Sequence, residues 1–289
     1  MILSIASGKG GTGKTTVAVN LALSVSADRK LQLLDCDVEG PNAHFFISAE
    51  FEKEKITYLP YPEIDENKCT YCGRCAEVCA YNALAVLKEN VLIFPELCHG
   101  CGACKLFCPE NAIKEIGRRI GVIRSGHAGN IFFLSGKLDV GQAMSPPLIR
   151  QMKKMIDRER DVILDVPPGT SCPMVEAVKG SDHTLLVTEP TPFGLNDLKL
   201  SVDTLGKMGI PFSVILNRAR TGDDIIHEYC QKENIPLVME IPLDRKIAEA
   251  YSKGETLIDL YPNYKNKFLE LYNKLKFKIK TQHEDLTKR

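Results

Sequence analysis

Short apolar runs alternate with amphipathic stretches along most of the chain. The first run, "MILSIAS" (1–7), ends in glycines and is followed by "TTVAVNLALSVS", where Val17, Leu21 and Val25 recur at helical spacing; this reads as strand, loop, helix. "LQLLDCDV" (31–38) reads as a second buried strand. After residue 120 the alternation resumes, with strands predicted around 131–134, 162–166, 184–187, 214–217 and 238–241 between helix-length segments rich in Lys and Glu. Continuous apolar strands alternating with helices predict an α/β fold: a largely parallel sheet covered by helices on both faces. Near the C-terminus, "YKNKFLELYNKLKFKI" sets Tyr264, Phe268, Leu271, Tyr272, Leu275 and Ile279 on one helical face and lysines on the other.

Between about 60 and 117 the alternation breaks into short pieces punctuated by Cys, Gly and Pro. This segment reads as an inserted small α+β domain (60–117), with the α/β domain formed by 1–59 and 118–289. It contains an internal repeat at an offset of 29 positions: Cys69, Cys72, Cys75 and Cys79 map onto Cys98, Cys101, Cys104 and Cys108. Ile64 maps onto Ile93, and Asn82 and Ala83 onto Asn111 and Ala112, as expected for two copies of one unit.

Composition narrows the classes. An apolar fraction of 44% suffices for a packed core, and equal counts of 37 for Lys plus Arg and Asp plus Glu give no overall field for nucleic acid or membrane. Eight of the eleven cysteines lie in the two clusters, which reads as metal binding in a reducing compartment rather than a disulfide framework. A glycine-rich motif beginning at Gly8 leaves no room for a signal peptide. No apolar run approaches the roughly 18–20 residues of a membrane span. A cytoplasmic protein is expected.

"GKGGTGKTT" fits the Gly-x-x-x-x-Gly-Lys-Thr template from Gly8 to Thr15, after a strand and before a helix, where the motif acts as a phosphate-binding P-loop. Gly8, Gly10, Gly11, Thr12 and Gly13 let successive N–H groups face phosphate oxygens, and Thr16 follows in the first helical turn. Lys14 is expected to reach the β- and γ-phosphates, and Thr15 to ligate Mg²⁺. Lys9 lies outside that template.

With Lys9 included, "KGGTGKTT" resembles the deviant P-loop of the MinD/ParA/Mrp ATPases, relatives of the nitrogenase iron protein. The resemblance implies that ATP is the substrate, that the active form is a homodimer, and that Lys9 crosses to the partner's phosphates. In "LLDCDVEGPN" it makes Asp37 the residue that positions or activates the attacking water, with Asp35 near the metal. In "VILDVPPGT" it makes Asp165 the aspartate that holds Mg²⁺ through water, followed by a mobile switch. "VILNRAR" and "EIPLD" resemble adenine-contacting segments, which nominates Asn217 and the backbone near Pro242. The chain lacks the C-terminal Cys-x-x-Cys of Mrp-type scaffolds. Cys36 and Cys230 are expected to be packed, and Cys172, after "PPGT", to be buried as a small apolar group rather than to act as a reactive thiolate.

Each cysteine repeat has the Cys-x₂-Cys-x₂-Cys-x₃-Cys spacing of bacterial [4Fe–4S] ferredoxins, and the second adds Pro109. Resemblance to two-cluster ferredoxins implies crossed ligation: Cys69, Cys72, Cys75 and Cys108 for one cluster, Cys98, Cys101, Cys104 and Cys79 for the other. Gly73, Gly100, Gly102 and Ala103 fit the tight turns, Ala80 stands where that family usually has Pro, and His99 reads as an exposed spacer. Zinc is the rival for four thiolates, but three cysteines in seven residues, twice, favour cubanes over separated Cys-x₂-Cys knuckles. The clusters could also be purely structural.

The combined arrangement resembles MinD-superfamily ATPases with an inserted ferredoxin domain. It implies ATP-gated electron delivery to a redox or metallocofactor-assembly partner. A positioning switch with the clusters as redox sensor is the alternative, and a carrier that hands over whole clusters a third.

Overall fold

The computed structural model describes residues 1–220, 222 and 224–287. In chain order the elements are β1 (Ile2–Ala6), α1 (Lys14–Ser26), β2 (Leu31–Asp35), β3 (Glu50–Ile64), α2 (Arg74–Glu77), β4 (Leu84–Leu87), β5 (Asn90–Ile93), α3 (Ala103–Leu106), β6 (Ile113–Ala128) and β7 (Ile131–Leu138). They continue with α4 (Pro146–Lys153), β8 (Asp161–Asp165), α5 (Cys172–Val178), β9 (His183–Thr188), α6 (Pro192–Met208), β10 (Phe212–Ala219) and α7 (Ile225–Lys232). The last are β11 (Leu237–Pro242), α8 (Arg245–Ser252), α9 (Leu257–Leu260) and α10 (Asn263–Thr287).

The described residues form a nine-stranded sheet in the order β11-β10-β9-β1-β8-β2-β7-β6-β3 and a hairpin of β4 and β5. From β11 to β7 every pairing is parallel. β6 runs antiparallel to both β7 and β3, so the sheet is mixed where a largely parallel one was expected. One face is covered by α1, α9 and α10, packed on Leu3, Ile5, Leu31 and Leu33. The other carries α4, α5, α6 and α7 over Ala6, Leu34, Val162 and Leu164. Strands covered on both faces need apolar residues at successive positions, which is why the parallel strands stand out in the sequence. The predicted face of α10 is buried throughout: Tyr264, Phe268, Leu271, Tyr272, Leu275 and Ile279 are at most 8% exposed. Among the described residues no helix is long and apolar enough to cross a membrane.

β3 and β6 pair from Glu50↔His127 to Ile64↔Ile113, so the expected boundaries at 59/60 and 117/118 fall inside two continuous strands. This ribbon carries the cysteine repeats, which pack around a small apolar cluster of their own that includes Ala83, Leu84 and Ile113. The repeat is visible in the backbone. α2 and α3 lie 29 positions apart. The pairing Leu84↔Ile93 in the hairpin answers Ile64↔Ile113 in the ribbon. Left-handed φ values match at Tyr71 and Gly100 (53° and 63°), Gly73 and Gly102 (82° and 76°), and Asn82 and Asn111 (52° and 49°).

Candidate functional site

The P-loop leaves the C-terminal end of β1, and the register of the neighbouring strands decides what it meets. Asp35 ends β2 directly beside Asp165 at the end of β8. Both carboxylates are fully buried, and Lys14, 6% exposed at the start of α1, enters between the loop and these ends. Its Nζ lies 3.1 Å from Asp165 Oδ1 and 3.4 Å from Asp37 Oδ2. Thr15 Oγ1 donates to Asp165 Oδ2 at 2.7 Å. Asp35 Oδ2 accepts from the N–H groups of Asn42 and Ala43, both at 3.0 Å, which fixes it below the site.

Three carboxylates around one ammonium leave excess negative charge. Burial, reinforced by the charge of Asp165, pushes the pKa of Asp35 up to about 8. Burial also raises Asp37, with Asp165 adding to the shift and Lys14 opposing it. Burial alone would lower Lys14, but Asp165 and Asp37 outweigh it and hold its pKa above normal. This donor set fits a divalent cation. Mg²⁺ takes few protein oxygens and completes its shell with water and phosphate, so Thr15, Asp35 and Asp165 are the residues that would hold it.

Above the carboxylates lies a cavity of about 310 Å³, lined by Gly10, Gly11, Gly13, Lys14, Thr15 and Thr16 on one side and by Asp37. Asn217, at the end of β10, and Pro242, at the end of β11, close its far side. The Asn217 amide donates to Thr12 O at 2.7 Å. Gly13 has φ 93°, and a Cβ there would come 2.1 Å from that amide, so the position accepts only glycine. Gly8, Lys9 and Thr12 do not line this cavity; they border a separate crevice against β9 and α6. A Cβ at Gly8 would meet the Asp197 carbonyl oxygen at 2.3 Å.

Lys9 is bound within its own chain. Its Nζ contacts Glu189 Oε1, and Arg218 Nη1 reaches Glu189 Oε2 at 2.9 Å. Burial opposes ionisation of Glu189, but Lys9 and Arg218 outweigh it and hold the carboxyl below its usual range. Arg218, left-handed at φ 57°, also lines the nucleotide cavity together with Asp244 and Tyr251. Arg218 and Asp244 fall within the "VILNRAR" and "EIPLD" segments without being singled out there; Glu189 is a single charge beside a strand end, and α8, which carries Tyr251, has no recognisable motif.

The cysteines gather around two further cavities, and the four that line each come from both repeats. Cys69, Cys72, Cys75 and Cys108 line one, together with Pro109. Cys79, Cys98, Cys101 and Cys104 line another. The N–H of Ala83 donates to Cys79 Sγ and that of Ala112 to Cys108 Sγ, both at 3.3 Å, so the two crossing residues are held alike. Among the described residues no three His, Cys, Asp or Glu side chains lie close enough together to hold one metal ion. Burial raises the thiol of Cys75 and pushes that of Cys104 up to about 11. Four thiols around each cavity, with small residues at the turns, make these the eight residues that would hold two multi-iron clusters.

His99 is exposed, and its ring also stacks face to face on Tyr81 with centroids 3.6 Å apart. Cys36 and Cys230 are buried; burial raises the Cys36 thiol and pushes Cys230 up to about 11. Cys172, expected to be buried, is exposed at the first position of α5, because that short helix turns Met174, Ala177 and Val178 inward instead.

The sequence model of the CobQ/CobB/MinD/ParA nucleotide binding domain matches residues 3–258. An uncharacterized protein of Methanocaldococcus jannaschii is 32% identical over 277 residues, covering 94% of this chain and 97% of that protein. The iron-sulfur cluster carrier protein of Pyrococcus furiosus is 26% identical over 304 residues, covering 96% and 86%. Among solved structures, the cell division ATPase MinD of Pyrococcus furiosus superposes with a TM-score of 0.60 at 23% identity, over 95% of this chain and 98% of that one.

Proposed function

The chain belongs to the CobQ/CobB/MinD/ParA nucleotide-binding family, and from that premise we propose that it is a dimeric ATPase whose nucleotide cycle gates electron delivery from two [4Fe–4S] clusters to a protein partner. Family and fold make it a P-loop ATPase. The partner is a redox protein or a scaffold for an iron–sulfur or other metallocofactor, working in a reducing cytoplasm; the curated names of relatives such as the Pyrococcus furiosus carrier support that setting.

The observation that carries the cluster reading is the sorting of the eight cysteines. Each cavity draws three thiols from one repeat and one from the other, as two-cluster ferredoxins do. The clusters, when bound, would each accept and release one electron. The chain's own residues do the rest. Cys69, Cys72, Cys75 and Cys108 hold one, Cys98, Cys101, Cys104 and Cys79 the other, and the 60–117 segment acts as the electron-carrying unit on the 1–59 and 118–289 ATPase. In the nucleotide site the P-loop amides and Lys14 bind phosphate, Thr15, Asp35 and Asp165 orient Mg²⁺, and Asp37 faces the attacking water. Asn217 and the backbone at Pro242 border the base. Lys9 leaves Glu189 to reach the partner subunit's nucleotide, so hydrolysis follows dimerisation.

The test is anaerobic purification with iron and sulfide counts, followed by redox titration and stopped-flow oxidation by a one-electron dye with and without Mg·ATP. About eight irons per chain are expected, with oxidation rates that respond to Mg·ATP and lose that response in Lys14→Ala. A protein without iron, or rates indifferent to nucleotide, overturns the reading. Iron and sulfide leaving the protein for an apo-acceptor would mark a cluster carrier instead. The membrane-positioning alternative is disfavoured by α10, whose apolar face is spent on the core.

A further inference from the structure

We propose that α4 is the mechanical link between the nucleotide site and the second cysteine cavity, with Arg150 and Gln151 as its positioning residues. The inference rests on the reading of that cavity as an electron-carrying site and supplies its coupling. α4 touches both sides. Toward the nucleotide, Arg150 makes a two-pronged contact with Glu176 of α5, at 3.2 Å and 2.8 Å. Lys153 Nζ donates to the carbonyls of Glu176 and Ala177 at 2.7 Å and 2.9 Å, capping the end of the same helix. α5 begins just after the segment whose Pro168 lines the nucleotide cavity and whose Gly169 N–H donates to Ser7 O in the P-loop at 2.9 Å. A displacement of that segment by phosphate is therefore passed to α4 through α5.

Beneath α4 the packing is close. A Cβ on Gly136 would come within 2.4 Å of Met152 Sδ and 2.7 Å of Val38, the residue after Asp37. A Cβ on Gly121 of β6 would lie 3.1 Å from Leu148. Close-packed contacts of this kind transmit a shift rather than absorb it.

Toward the cysteines, Gln151 Nε2 donates to Tyr58 O on β3 at 2.9 Å. The next residue, Leu59, is buried in the same core as Leu148, Ile149 and Met152. Its Cδ1 lies 2.8 Å from where a Cβ on Gly100 would be, and Gly100, left-handed at φ 63°, stands between Cys98 and Cys101. Pro60 and Pro62, which follow Leu59, line the same second cavity. The first cavity is lined by residues between Ile64 and Ile113, farther out on the ribbon. The second cavity is thus the one that senses nucleotide, and the first is the one left to face a partner.

Hydrogen–deuterium exchange of the full chain, with and without Mg²⁺ and a non-hydrolysable ATP analogue, tests this in wild type, Arg150→Gln and Gln151→Ala. The analogue is expected to change exchange across 98–102 more than across 69–73. That change should fall at least about fivefold in each variant, the lower end of coupling between sites, with nucleotide affinity unchanged. Equal change in both loops, no change at 98–102 while nucleotide binds, or variants that respond like wild type would overturn it. Iron counts on the same samples separate the two readings. Coupling without iron sinks the cluster reading and keeps α4; iron with nucleotide-indifferent exchange does the reverse. Should Arg150→Gln fail to fold, Gln151→Ala, which loses one exposed contact, decides alone.

Discussion

At the scale of single residues the site is governed by charge. Asp35 has its pKa raised, so its protonated form is favoured in the folded chain. Its stabilising contribution is present below the unfolded value near 4 and is lost as pH rises through about 8. The melting temperature of the nucleotide-free protein should therefore fall between pH 6 and 8 by more in wild type than in Asp35→Asn, and Mg·ATP should reduce the difference; thermal scans at both pH values check this. Lys9→Ala should leave nucleotide affinity intact while lowering kcat about 10²–10³-fold, the cost of removing one charge that acts on the transition state, measured as steady-state hydrolysis beside equilibrium binding. The P-loop, Asp35, Asp37 and Asp165 were legible in the sequence because each sits in a motif at the end of an apolar strand. The linking of Lys9 and Arg218 through Glu189 was not, because it comes from the juxtaposition of β9 and β10 with the P-loop, which no local pattern encodes.

At the scale of elements, α10 carries the clearest stability prediction. Phe268 is fully buried and Phe277, on the same helix, is 76% exposed. Phe268→Ala should cost about 3–5 kcal/mol, and Phe277→Ala less than about 0.5 kcal/mol; urea denaturation of both variants measures the contrast. The parallel strands and α10 were readable from periodicity alone. β3 was not: "EFEKEKITYLPYPEI" mixes charges with two prolines and looks like a loop. It is an edge strand, bonded only to β6 in the sheet order, and an edge tolerates prolines and uses charges to block further pairing. The cysteine repeat was legible as spacing, and its turns followed at the glycines. The left-handed Tyr71 had no signal, since only its repeat partner is a glycine.

At the scale of the whole molecule, ATP should change the assembly state. Asp37→Ala with Mg·ATP is expected to accumulate as a dimer by sedimentation, and the Lys9→Ala form to stay monomeric. On the proposed reading the wild-type protein should dimerise only transiently, since hydrolysis would then end the contact. The ribbon of β3 and β6 has a further consequence. Tyr61 faces Ile116 across it, so the chain departs for the cysteines and returns from them at neighbouring points on adjacent strands, about 5 Å apart. To the host sheet the whole cysteine-bearing appendage is topologically equivalent to a tight hairpin turn. Such an appendage is exchangeable: an ancestral enzyme could have gained it, or a descendant lost it, by swapping a turn without disturbing a single strand crossing, and the same junction is where an unrelated sensor could be grafted onto the motor.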